Sequence, residues 1–191
     1  AEATAILAGD ALQAEAFAHL CKHIEDSNQL AETVRVLAQA AGAANLVGGQ
    51  ADDLAAERSA SRESWSLETL ESIHRRKTGA LFAAAIDMGA ILGGANTETR
   101  AVLSDYARDL GLAFQVVDDL LDATATAESL GKRAGKDAER GKLTYSGLLG
   151  VPQAREKATE LVASARTHSA VFGDAGWRLS WLAEYVLERK N

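Results

Sequence analysis

Hydrophobic positions along this chain recur at the three- and four-residue spacing of a helix face, and no window keeps a period of two. The pattern predicts helices at about 2–23, 28–43, 45–58, 66–92, 97–123, 153–169 and 174–189. The breaks carry stop signals: Gly42, Gly48-Gly49, Gly93-Gly94, Gly131, Gly135, and Gly150 ahead of Pro152. One stretch, about 124–151, reads as a long loop with five glycines among mixed charges, a length more often functional than decorative. The last helix carries Trp177, Trp181, Leu182, Tyr185 and Val186 on one face, which predicts core packing.

Composition strengthens the helical reading. Alanine fills 39 of 191 positions and proline one, so local preference is helical nearly throughout and the fold class is all-α. At 47% hydrophobic residues the chain supports one domain with a real core and is not a disordered segment. No apolar run reaches the roughly 18 residues of a membrane span. The net charge of -7 argues against a nucleic-acid partner held through phosphates. Cys21 is the single cysteine, so no internal disulfide forms and a cytoplasmic setting is expected. Residues 1–20 begin with Ala1 and read as an acid-containing amphipathic helix rather than a signal peptide, which suggests a start inside a larger protein.

Three helices carry polar groups on otherwise apolar surface. On 97–123, apolar residues cover most of the girth, while Gln115, Asp118, Asp119 and Asp122 share the remaining strip. Acids at i, i+1 and i+4 repel unless a cation lies between them, and Mg²⁺ accepts one or two carboxylates while leaving room for phosphate. A solvated acidic strip explains the same spacing. On 66–92, Lys77 enters a stripe of Leu67, Leu70, Ile73, Leu81, Ala84, Met88 and Ile91, with His74 and Thr78 beside it. Such a lysine either snorkels to water or meets an anion, while Arg75 and Arg76 point away as surface charges. On 45–58, Gln50 and Asp53 share a face with Leu46, Val47 and Leu54, as ligands or as a hydrogen-bonded pair tying helices together. The loop adds Lys132, Lys136, Asp137 and Lys142, and glycine-linked lysines suit phosphate oxygens. Acidic strip, misplaced lysine and basic loop together describe a Mg²⁺-bridged phosphoryl site in a helical bundle.

The motifs LAGDAL (7–12), VGGQADD (47–53), HRRKTGALF (74–82), FQVVDDLLD (114–122) and LGKRAGKDAERGKLTYSGLLG (130–150) resemble, jointly and in order, the C-terminal two-thirds of trans-polyprenyl diphosphate synthases. The resemblance implies an isoprenoid-synthase helical bundle lacking its N-terminal helices, over a single partial domain of residues 1–191. It implies transfer of an allylic group from its diphosphate to isopentenyl diphosphate, giving a C15–C20 product, geranylgeranyl diphosphate being favoured. By motif, Asp118, Asp119 and Asp122 would bind Mg²⁺, and Lys77 and Lys132 would hold the allylic diphosphate with Lys142 nearby. Thr78 and Gln115 would line the reacting end, with Gln50 and Asp53 in the cavity. The family's first aspartate-rich motif has no counterpart in these residues, so the isolated chain is expected to be inactive. A homodimer is expected, and a non-catalytic partner subunit is the alternative.

Overall fold

The computed structural model describes residues 2–58, 65–129 and 142–189. Helices α1 (Glu2–His23), α2 (Ser27–Ala41), α3 (Leu46–Arg58) and α4 (Leu67–His74) lead into a π-helical turn, Arg75–Gly79, that feeds α5 (Ala80–Leu92). There follow α6 (Thr97–Ser129), α7 (Tyr145–Leu149), α8 (Val151–Ala170), a 3₁₀ turn at Gly173–Gly176 and α9 (Trp177–Glu188). No strand occurs among the described residues, so the all-α expectation holds.

The long helix α6 is the axis of the core. Tyr106, Leu110, Ala113, Val116, Val117 and Leu120 bury its face against α8 and α5. The facing side of α8 is a stripe of Ala154, Ala158, Val162 and Ala165, small residues that let the two helices pack closely. Tyr106 donates its hydroxyl to the Leu179 carbonyl at 2.8 Å and pins α9 to the same axis. Caps fall where short polar residues precede the apolar runs: Asp26 for α2, Ser66 for α4 and Thr144 for α7 each accept a backbone N–H with the side chain.

Five expectations change. Gly48-Gly49, foreseen as a stop, lies inside α3, where the pair serves close packing rather than termination. The helix foreseen across 66–92 is interrupted at Arg75–Gly79, and the added residue of the π turn shifts the phase of α5, leaving Leu81 37% exposed. The loop foreseen at 124–151 is shorter, since α6 runs on to Ser129 and residues 145–149 form α7. On α9, Trp177, Trp181 and Tyr185 are at least half exposed and only Val186 of the stripe is buried, because no described element covers that face. Helix α1 forms as foreseen yet buries no residue, presenting Ile6, Leu7 and Leu12 to solvent. No helix among the described residues is long and apolar enough to cross a membrane.

Candidate functional site

The π turn is where the site is assembled. Helix α3 crosses it at Gly49, where a Cβ would collide with the Lys77 amide nitrogen, and α6 crosses it at Gly111, where a Cβ would lie 3.0 Å from the Gly79 Cα. Only glycine permits the first approach, and at the second a Cβ would require its neighbours to give by a few tenths of an ångström. The two approaches set the side chains of the turn against α3 on one side and α6 on the other. Lys77 Nζ donates to Asp53 Oδ2 at 2.6 Å, and Thr78 Oγ1 donates to Gln115 Oε1 at 2.9 Å. Asp53 therefore pairs across to the turn rather than with Gln50, which is half-buried on the same helix. Arg76, foreseen as an ordinary surface charge, instead clasps α3 by an ion pair to Asp52 and the turn before it by a 3.0 Å hydrogen bond to the Ala44 carbonyl.

The aspartates of α6 diverge. Asp118 is half-exposed and accepts from Arg189 Nη2 at 3.1 Å. Asp119 is buried and accepts the Tyr145 N–H at 2.9 Å, fixing the start of α7. Burial pushes its carboxyl up to about 6, against the opposing pull of that N–H and of Lys142. Asp122 is exposed one turn beyond Asp118. His74 stands behind Lys77, buried, with its ring 5.5 Å from that of Tyr145. Burial pushes it down to about 4, with Asp53 pulling the other way and Lys77 and Lys142 adding to the lowering, so it is neutral at pH 7. Lys142 is exposed at the foot of α7. Lys132, Lys136 and Asp137 lie outside the described residues.

The residues fit a hard cation in one particular way. Among the described residues no three His, Cys, Asp or Glu side chains are gathered into a ready cage. Asp118 and Asp122, one helical turn apart on the accessible side of α6, supply the one or two carboxylates that Mg²⁺ takes when phosphate completes its shell. The periodicity of α6 signalled these acids. It gave no signal for Arg189, which reaches the strip from the far end of α9, or for the bond between Asp119 and α7.

The chain is similar to known proteins over nearly its whole length. The Polyprenyl synthetase family model matches residues 1–172. Dimethylallyltranstransferase of Fischerella ambigua (strain UTEX 1903) is 43% identical over 192 residues, covering all of this chain and 55% of that protein. Farnesyl diphosphate synthase of Escherichia coli (strain K12) is 43% identical over 198 residues, covering all of this chain and 64% of that protein. An apo FPP/GFPP synthase structure from Zymomonas mobilis superposes with a TM-score of 0.82 at 42% identity, over 97% of this chain and 60% of that one. A Helicobacter pylori geranyltransferase complexed with magnesium and isoprenyl diphosphate gives 0.78 at 29% identity, over 97% and 60%. The chain thus spans little more than half to under two-thirds of the length of these relatives. With the helical architecture and a family match over nine-tenths of its length, the chain belongs to the polyprenyl synthetase family.

Proposed function

We propose that this chain supplies the diphosphate-ionising wall of a short-chain prenyl diphosphate synthase, which joins isopentenyl diphosphate to an allylic diphosphate. The observation that carries this reading is the adjacency, on one π turn, of a lysine held by a buried carboxylate and a hydroxyl held by Gln115, facing the acidic strip of α6. Lys77 has its ammonium preplaced by Asp53 and 30% exposed, so it can turn to a phosphate oxygen without being desolvated first. Asp118 and Asp122 are the residues that hold Mg²⁺, while Asp119 orients α7 beneath Lys142. When bound, Mg²⁺ stabilises the negative charge that gathers on the departing diphosphate. Thr78 and Gln115, fixed by each other, border the carbon whose C–O bond breaks, and the apolar pair Phe82 and Phe114, 5.2 Å apart, keeps water from the cation left behind. Neutral His74 keeps a further positive charge away from that cation.

The LGKRAGKD loop motif favours products of C15–C20 length, geranylgeranyl diphosphate first among them, and relatives named for short-chain diphosphates support the class. The exposed apolar residues of α1 and α9 favour further helices or a second copy against them, as in a homodimer, and the chain by itself is expected to bind diphosphate without turning it over. Calorimetric titration of inorganic diphosphate with and without Mg²⁺ tests the assignment. Asp118→Ala is expected to cost about tenfold, roughly 1.4 kcal/mol, in Mg²⁺-dependent affinity. Unchanged affinity would remove Asp118 from the metal site.

A further inference from the structure

Arg189 follows α9 and has its own amide bonded to the Tyr185 carbonyl at 3.0 Å. Its side chain runs back over α6. The guanidinium carbon lies 3.9 Å above the centre of the Phe114 ring, and Nη2 is 3.1 Å from both the Phe114 carbonyl and Asp118 Oδ1. Phe114 and Asp118 are one helical turn apart, so one planar group spans ring, carbonyl and carboxylate on the same face. The side chain is only 11% exposed, and its Nε is buried with no hydrogen-bond partner among the described residues.

This is a poorly satisfied way to bury a guanidinium. Arg100, by contrast, grips Asp87 with two nitrogens and Glu32 with a third. A forked contact of that kind is the strong form, whereas Arg189 has one nitrogen on one carboxylate oxygen and leaves a donor unmet. A cation about 2.1 Å from that same oxygen would stand against the guanidinium, like charge on like charge.

We propose that Arg189 is a positioning residue for Asp118: it holds the carboxylate while the site is empty and releases it when a divalent cation arrives with a diphosphate. Filling of the site then loosens the last turn of α9, and α9 reports on the strip. The exchange of partners rests on the reading of Asp118 as a metal ligand. The contact in the empty protein does not, and the two can be tested apart.

Hydrogen exchange of the full chain, followed at the Leu187, Glu188 and Arg189 amides, is the first readout. Without ligand, Asp118→Asn should speed exchange there by about fivefold or more, and Mg²⁺ with inorganic diphosphate should do the same to the wild type. The second readout is calorimetric affinity for Mg²⁺ with inorganic diphosphate. Arg189→Gln should bind severalfold more tightly than the wild type, and Arg189→Lys, which keeps the charge, should return most of the way to the wild-type value. Unchanged exchange in Asp118→Asn overturns the holding contact. Ligand that slows or leaves unchanged the exchange of the wild type, or equal affinity in Arg189→Gln, overturns the release. A wild type that binds no Mg²⁺-diphosphate while Asp118→Asn still speeds exchange overturns the metal assignment and the partner exchange with it, but leaves the contact established.

Discussion

Gly49→Ala tests whether the close crossing of α3 and the π turn organises the site. A Cβ there would collide with the Lys77 amide nitrogen and come within 2.9 Å of both the backbone carbonyl carbon and the Cβ of Arg76. Comfortable contact begins near 3.5 Å, so α3 must retreat by up to about 1 Å. The obstructing atoms are mostly backbone, so a change of rotamer gives no relief, and the cost sits at the upper end of overpacking, about 3 kcal/mol. Alanine returns about 1 kcal/mol through its helix propensity, leaving a net loss of about 2 kcal/mol. In a chain of this size that lowers Tm by about 4–8 °C. Gly89→Ala makes the identical chemical change on the exposed side of α5, where an added Cβ meets nothing within 4 Å. It should stabilise by about 1 kcal/mol. Urea unfolding followed by circular dichroism measures both, with parallel m-values required for the comparison. A Gly49→Ala protein as stable as the wild type, or shifts of the same sign in both variants, would refute the close-approach argument.

Two further predictions concern the buried groups around the site. His74 is pushed down to about 4, so between pH 6.5 and 4 the unfolded chain takes a proton that the fold refuses, and stability present above pH 6.5 falls as pH drops. Asp119 is pushed up to about 6, so its fold takes the proton first, and stability present at low pH is lost as pH rises through 6. Each effect is worth about 3 kcal/mol, and they oppose one another between pH 6 and 4. Relative to the wild type, His74→Gln should therefore gain stability on moving from pH 7 to 4.5 and Asp119→Asn should lose it; urea midpoints that track the wild type in both variants contradict the assignment. Tyr106→Phe removes the bond to the Leu179 carbonyl and should cost about 1 kcal/mol by the same melts, with no loss of Mg²⁺-diphosphate binding.

The helices were legible because alanine-rich apolar periodicity marks where α1, α3 and α5 end, and at α5 the glycine stop Gly93 agrees with it. The π turn was not, since Arg75–Gly79 contains no breaker before its last residue, and the insertion answers to glycines in other helices. Lys77 and Asp53 were each visible as polar groups on apolar faces. Their pairing was not, because 24 residues and a change of helix separate them. The three acids of α6 shared a strip by period, but a strip that wide has two edges. Asp119 sits at the edge that α7 covers, and α7 was hidden inside what read as loop. The aromatic stripe of α9 was read correctly as a face and wrongly as core, because an amphipathic face says that something covers it without saying that this chain does.

The two ion pairs of the site share an asymmetry that bears on its proposed role. In the first, the acid Asp53 is 6% exposed and the base Lys77 30%; in the second, the base Arg189 is 11% exposed and the acid Asp118 47%. Each pair therefore has a buried counter-ion and an accessible partner of opposite sign. A half-buried pair of this sort adds little to stability, because desolvation consumes most of the attraction. What it does provide is a charge held in place and near neutrality until a ligand arrives. The accessible ammonium suits a phosphate and the accessible carboxylate suits a divalent cation, so a Mg²⁺-diphosphate unit meets one group of the right sign for each of its parts. The two counter-ions are left behind with opposite charges, negative on α3 and positive beyond α9, so the charges they expose offset one another. Exchange of ion partners, rather than creation of new buried charge, is then the electrostatic basis on which such a site can be filled and emptied repeatedly.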